Sequence, residues 1–448
     1  MTQSLEDLGQ ALITAARNAG AEAADAVLVD GSSLSIDVRA GALEHAERSE
    51  GVDIGLRVLI GHKQAFVSSS DTSADTIAQM AERAVAMARE APDDPYAGLA
   101  ESEMLAQSWD VAALELSDPS DDPAPDALEQ DALRAEAAAL AVGGVSQVQT
   151  ASAYHGRQHV HMTASNGFAG GYARSTRATS CVAIAGEGLG MERDYDGDAR
   201  TFQSDLRSPE DIGTRAAMRA VERIGARRPA TGSYPVLFDE RISASLIGHL
   251  LSASNGAAVA RGASWLKDDV GAQILPDALS VVENPHRARM SGSRPFDGEG
   301  LPTQSRAIID KGVLTGWTLD LASARKLGLT PTGNAARGVG GPPSPTTWNI
   351  ELTQGAHSRD DLIRDMGTGL LVTSMIGSTI NPSTGDYSRG AAGFWVENGE
   401  ITYPVNEITI AGNLRDMLGA IIPANDARAH LSTVVPSLLI EGMTLAGS

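Results

Sequence analysis

The chain has one cysteine, Cys181, in 448 residues. That excludes an internal disulfide framework and any multi-cysteine zinc cluster, and it fits a reducing compartment. Basic residues are also scarce. Lys and Arg number 35 against 57 Asp and Glu, a formal charge of −22, so the surface repels phosphates and a nucleic-acid-binding role starts at a disadvantage. No apolar run approaches the roughly 18 to 20 residues of a membrane span. The opening MTQSLEDLGQALITAARNAG reads as an amphipathic helix without the basic start of a secretion signal, so the expected location is the cytoplasm. No histidine is followed by glutamate, which removes the common helical zinc-hydrolase motif HExxH.

What is present is length enough for two or three domains and a first half that repeats one order of elements. A helix from Leu5 to Asn18 leads into the strand-like runs DAVLVD, LSIDVRAGALEHAER, DIGLRVLIG and QAFVSSS. The amphipathic stretch Thr72 to Glu90 then closes the unit. A Pro- and Asp-rich arm from about Ala91 to Pro125 follows. After it, Ala127 to Ala141 reads as helix, VSQVQTASAYHG, RQHVHMTASN, GGYARSTRATS and CVAIAGEG as strands, and Pro209 to Ala226 as a closing helix. The expected fold class is α+β, with units at 1–110 and 111–228 and a β-rich C-terminal part at 229–448.

That C-terminal part carries two hairpin signals, Lys311-Gly312 within SRAIIDKGVLTGWTLD and Asn398-Gly399 within GFWVENGEITYPV. The second suits a type I′ turn, in which both central residues need positive φ. Three glycine-rich stretches, MSGSRPFDGEGLP, LTPTGNAARGVGGPPSP and NPSTGDYSRGAAG, read as long loops, functional or connecting.

His249 lies in SASLIGHLLSAS at the edge of a helical stripe formed by Ile242, Leu246, Ile247, Leu250 and Leu251. A zinc helix needs a second imidazole one turn away and a carboxylate beside the first ligand. Ser245 and Leu246, or Ala244 and Ser245 for HExxxH, stand in those places instead. YHGRQHVHM holds the densest histidine cluster: His159 and His161 share a strand face, and His155 is placed across a turn. A solvated strand is the favoured reading there, because no acidic residue falls within the cluster. SARK, Ser323 to Lys326, fits the S-x-x-K pattern of lysine-activated serines, although its companion elements are missing and an ordinary helix ending at Gly328 explains it as well.

Several runs together resemble the TldD/PmbA family, once called modulators of DNA gyrase, and in particular its PmbA (TldE) branch. They are YPVLFDERISASLIGHLLSASNG, SRPFDGEGLPTQSRAIIDKGVLTGWTLDLASARKLGLTPTGNAARG, INPSTGDYSRGAAGFWVENGEITYPVNEITIAGNLRDML and LIEGMTLAG, with GVDIGLRVLIG and HMTASNG upstream. The resemblance implies a two-chain zinc metallopeptidase acting on unfolded or modified peptides. In it the TldD-type chain carries HExxxH and a later cysteine, and the TldE-type chain carries neither. It casts this chain as the subunit without catalytic residues or metal and His249 as a remnant of the zinc helix; within this chain, Asp386, Tyr387, Ser388 and Arg389 of STGDYSRG, with Arg294, are the candidate substrate-binding groups lining a cavity. The partners it implies are a zinc-bearing TldD-type subunit, forming a heterodimer, and a peptide; it also allows a homodimer when the chain is alone. Neither nucleic acid nor membrane is expected. The competing readings are a stand-alone hydrolase using Ser323 and Lys326, and a non-enzymatic protein that binds gyrase.

Overall fold

A computed structural model describes residues 3–447. Helix α1 (Leu5–Ala19) is started by Ser4, whose side chain accepts from the Asp7 N–H, and stopped by Gly20 at φ 104°. Strands β1 (Ala23–Arg39), β2 (Ala42–Ile60) and β3 (Lys63–Ser69) follow, then helix α2 (Ala74–Glu90). The connecting arm holds a 3-10 turn at Ser102–Met104 and one short helix, α3 (Val111–Leu114). The order then repeats with α4 (Pro125–Leu140), β4 (Val145–Ala164), β5 (Ala169–Ala185), β6 (Glu192–Arg200) and α5 (Pro209–Glu222).

Each unit thus has three strands between its helices, where the sequence suggested four. DAVLVD and LSIDVRAG belong to one strand of 17 residues, and β2 runs unbroken for 19. The Gly31–Ser33 stretch reads as a break yet stays extended, because Ser32 is laddered to Glu50 on one side and Arg157 on the other. Strand β6 escaped notice for a different reason. Its inward-facing residues are the buried Asp194, Asp196 and Asp198, neutralised by Arg223, Arg219 and Arg207, so it has no hydrophobic alternation to detect.

The six strands form one sheet in the order β3-β2-β1-β4-β5-β6, with β1 and β4 antiparallel at its centre. Helices α1 and α2 cover Leu28, Ile54 and Leu56 on one side. Helices α4 and α5 cover Ala151, Cys181 and Ala183 farther along. These two helices touch backbone to backbone: a Cβ on Gly213 of α5 would stand 1.9 Å from the Ala135 carbonyl. The sheet's other face offers Val27, Met162 and Phe168 to Phe296, Leu301 and Leu321 of the C-terminal half, which fixes the two halves against each other. Strand β3 pairs with β2 only from Ile54 to Ile60.

In the C-terminal half, β7 (Gly232–Phe238) lies between the strands Gly369–Ile380 and Leu438–Ala446, and the strands Asp386–Glu397 and Glu400–Asn413 extend the sheet. The strands Glu400–Asn413 and Leu438–Ala446 also meet each other, at Thr409–Ala411 and Thr444–Ala446, so five strands close on themselves. Both expected hairpins form. Asn398 (φ 54°) and Gly399 (φ 77°) join the strands Asp386–Glu397 and Glu400–Asn413, while Lys311 (φ 47°) and Gly312 (φ 80°) join Arg306–Asp310 to Val313–Leu314.

Candidate functional site

Helix α6 (Ala244–Ala253) buries Leu246, Ile247, Leu250 and Ala253 against Val236, Phe238, Leu370 and Val372. His249 sits half-buried at the margin of that stripe, edge to face with Tyr387 at 6.0 Å between ring centroids. Burial first, and then the charge of Arg389, hold its pKa below the ordinary histidine value. Its Nε2 has no hydrogen-bond partner among the described residues. One turn earlier, Ala244 offers no ligand atom and the Ser245 hydroxyl donates to the turn that precedes the helix, to Ile242 O at 2.7 Å. Among the described residues no group of three or more His, Cys, Asp or Glu comes together in a way that would hold a metal ion. The residues around His249 do not fit a zinc site, and the nearby guanidinium would disfavour a dication as it disfavours a proton.

The expected STGDYSRG loop is only partly loop, since Asp386, Tyr387, Ser388 and Arg389 open the strand Asp386–Glu397. The Asp386 carboxylate accepts from Thr384 Oγ1 at 2.6 Å and Asn413 Nδ2 at 3.1 Å, and these bonds, Thr384's first, hold its pKa down. Tyr387 is buried, donates to Met375 Sδ at 3.2 Å, and has its hydroxyl pushed up to about 12 by burial. Ser388 is laddered between Thr379 and Ala411. Arg389 donates from Nε to Gly377 O at 2.7 Å and forms no ion pair among the described residues. His249, Tyr387 and Arg389 therefore share one site. Replacing His249 by Leu should remove an unpartnered buried nitrogen and leave stability at neutral pH within about 1 kcal/mol of the parent. Because the folded pKa of His249 is depressed, the unfolded chain takes up a proton that the folded chain refuses as pH falls below about 6.5. The imidazole's own contribution therefore falls on acidification, so the Leu variant should gain stability relative to the parent between pH 7.5 and 5.5; urea unfolding of both proteins at the two pH values checks this.

Arg294 is placed elsewhere. It donates to Ser291 O and Ser293 O at 2.9 and 2.8 Å and stacks over Trp348. Beside it, and unforeseen from the sequence, stands Arg174 of β5, which donates to Ser291 O at 2.6 Å and also to Ser293 O. Burial, followed by the charge of Arg294, pushes the Arg174 pKa down to about 10. Both are half-buried, and neither guanidinium meets a carboxylate among the described residues, so their charge is uncompensated within the chain. Arg174 lines a cavity of about 370 Å³ over the middle of the N-terminal sheet, whose wall is polar: Gly31, Ser33, Gly51, Tyr154 and Gln158.

A second feature hidden in the sequence lies in MSGSRPFDGEGLP. Asp297 and Glu299 are buried where the two halves meet. Asp297 accepts from the N–H groups of Glu299, Leu301 and Ala335, and Glu299 from that of Leu321. Burial raises the pKa of both despite these donors, and for Glu299 the charge of Asp297 adds to it. Nearby, Asp25 of β1 binds Arg57 of β2 and Arg337 of the C-terminal half. Burial alone would raise the Asp25 pKa, but the charges of Arg337 and Arg57 outweigh it and hold this carboxyl low.

The remaining sequence candidates do not assemble a site. YHGRQHVHM is continuous strand, with no turn between His155 and His159, so these two are about 13 Å apart along β4. His155 is paired with Asp122 of the connecting arm at 3.0 Å, whereas His159 and His161 line a separate cavity of about 1100 Å³ with Asp30. Ser323 is buried in a capping box with Asp320 at the start of the helix Leu321–Leu327, and Lys326 is exposed. That hydroxyl is committed to the helix end and forms no serine–lysine pair.

The closed five-strand sheet, the duplicated N-terminal units and the α6 helix with its single imidazole define a class. The chain belongs to the PmbA/TldD metallopeptidase family: models of the family's domain 1, central domain and C-terminal domain, described as PmbA/TldA metallopeptidase domains, match residues 24–88, 117–224 and 231–447. Among particular relatives, it is 39% identical to the metalloprotease PmbA of Escherichia coli O157:H7, covering 93% of this chain and 90% of that one. It is 36% identical to the PmbA homologue of Haemophilus influenzae, covering 99% and 97%. A crystal structure from Bacteroides thetaiotaomicron, of a candidate modulator of DNA gyrase, superposes with a TM-score of 0.92 at 27% identity over the whole of both chains. TldE from Thermococcus kodakarensis shares the fold, with a TM-score of 0.85 at 20% identity over 98% of this chain and all of that one.

Proposed function

We propose that this chain is the zinc-free, TldE/PmbA-type subunit of a cytoplasmic two-chain metallopeptidase. The zinc and the catalytic residues reside on a TldD-type partner, and the complex degrades or processes unfolded or modified peptides. The observation that carries this reading is α6: the helix that resembles the family's zinc helix keeps one imidazole, His249, packed on Tyr387 and next to the Arg389 cation. Amide hydrolysis near neutral pH needs a generated nucleophile and a group to take its proton, and the site offers neither. This subunit's part is to wall off the active site and hold the peptide. For that we assign Arg294, with its neighbour Arg174, to a peptide carboxylate, and Asp386, Tyr387, Ser388 and Arg389 to the wall around the chain. A bidentate guanidinium–carboxylate contact would relieve the uncompensated charge of the two half-buried arginines.

The test mixes the purified chain with a homologue carrying HExxxH and an unstructured peptide, and repeats the assay with each chain alone. Cleavage is expected only in the mixture, abolished by a chelator, with about one zinc per heterodimer and none retained by this chain after dialysis. Chelator-sensitive cleavage by this chain alone, surviving a further purification step, overturns the reading. Zinc retained by this chain and lost on His249→Ala does so too.

A further inference from the structure

On the face of the C-terminal sheet turned away from α6, a cavity of about 590 Å³ opens between that sheet and α5 of the N-terminal half. Its floor is apolar. Leu371, Phe394 and Pro404 lie opposite one another across three adjacent strands, with Ile401 beside them. Thr373 enters the same floor as the extra residue of a bulge, between the Val372–Gly393 and Ser374–Ala392 pairs. Gly393 makes that bulge feasible, because a Cβ there would stand 1.9 Å from Leu371 O.

Two observations mark this cavity as built for a polar ligand group as well as an apolar one. Thr373 lines the cavity and is only 6% exposed, and its buried hydroxyl has no hydrogen-bond partner among the described residues; such a group is costly unless something bonds to it. The rim carries four arginines, Arg215, Arg219, Arg241 and Arg359, beside the carboxylates Glu222, Asp239 and Glu240. Arg219 and Arg241 are tied to Asp196 and Asp194 of β6, and Arg359 to Asp239. Arg215, one turn before Arg219 on α5, also lines the cavity and forms no ion pair among the described residues.

We propose that this cavity binds a small organic acid. Its carboxylate is held by Arg215 and Arg359 and accepts from the Thr373 hydroxyl, and its apolar body lies on Phe394 and Ile401. The chemistry is that of a free acid with an aromatic or branched aliphatic body, or of the C-terminal residue of a peptide. The inference is independent of the peptidase reading, since this face is separate from the His249 site and from the Arg174–Arg294 pair.

Ligand-observed NMR titration of the full chain tests it with three probes: 3-phenylpropionate, its neutral amide, and N-acetyl-Ala-Phe with a free carboxylate. Both acids should bind, and the amide should bind at least about tenfold more weakly, the scale of one charge-assisted contact. Thr373→Val and Arg215→Ala should each weaken acid binding by about fivefold to tenfold without lowering the thermal midpoint of unfolding, since one swap removes an unpartnered hydroxyl at constant shape and the other lies on an exposed helix face. Tighter binding of N-acetyl-Ala-Phe than of 3-phenylpropionate would support a peptide C terminus as the source, and the reverse order a free acid. Equal affinity for acid and amide, no binding of either acid, or unchanged affinity in both correctly folded variants overturns the proposal.

Discussion

Replacing Asp25 by alanine should lower the free energy of unfolding by about 3 to 5 kcal/mol, the cost typical of removing one member of a buried ion cluster. The reason is what the substitution leaves behind. Arg57 and Arg337 are both almost wholly buried, and Asp25 is the carboxylate that bonds each of them. Without it, two guanidinium groups face each other in a site closed to water. Asp25→Asn keeps the shape but removes the charge, so it should recover only a small part of the loss. Because Asp25 and Arg57 belong to the N-terminal sheet and Arg337 to the C-terminal half, the damage falls on the junction, and the urea transition should broaden or split as the halves lose their coupling. A loss under about 1 kcal/mol with an unchanged transition would show that the triad is not what holds the junction.

The second large effect is a stability that rises on mild acidification, contrary to the usual behaviour of carboxylates. Glu299 is raised to about 8 by burial and by the charge of Asp297, whereas in the unfolded chain it titrates near the ordinary glutamate value of about 4.3. Between those two pH values the folded protein holds a proton that the unfolded chain releases. With more protons bound in the native state, the unfolding free energy falls as pH rises, by up to about 1.4 kcal/mol per pH unit for one proton. The contribution is fully present below the unfolded value and is lost as pH passes through about 8. Glu299→Gln mimics the protonated form and still accepts from the Leu321 N–H, so it should flatten the profile between pH 5 and 8 and be more stable than the parent at pH 8. Chemical unfolding at three pH values across that window suffices. A parent whose stability climbs with pH there, or a Gln variant with the same slope, would refute the assignment.

Features governed by local chemistry were legible in the sequence. The Asn398-Gly399 turn follows from the need for positive φ at both central residues, and helices α1 and α2 from the spacing of Leu8, Leu12 and Ile13 and of Ile77, Met80 and Ala84. What was not legible depends on partners distant in the chain. Strand β6 has its hydrophobic pattern replaced by aspartates whose arginines come from α5 and the residues flanking it and from Arg241. The Gly31–Ser33 stretch is strand only because β2 and β4 flank it. In the candidate site, the neighbourhood of His249 and the DYSRG run could be approached through their resemblance to the family's motifs. The pairing of Arg294 with Arg174 could not, because their charges meet only when β5 docks on the loop holding Ser291 and Ser293. Asp297 and Glu299 look like solvated turn residues until Phe296 and Leu301 pull their segment under the sheet.

The central pairing of β1 with β4 sets a schedule for making the protein. Every backbone group on that side of β1, from Asp25 to Val38, waits for residues Ala151 to Ala164. At elongation rates of about 5 to 20 residues per second that wait is on the order of ten seconds. During it, the finished first unit carries a long open strand edge in the middle of its eventual sheet rather than at its rim, where charged residues such as Glu44, Glu47 and Arg48 guard β2. A nascent chain in that state is a template for any extended segment nearby, including the same unit on a neighbouring ribosome. Slowing translation between residues 90 and 150 should therefore favour strand exchange between copies over the native pairing, and a chaperone that shields β1 until β4 emerges should have its largest effect on this chain during synthesis.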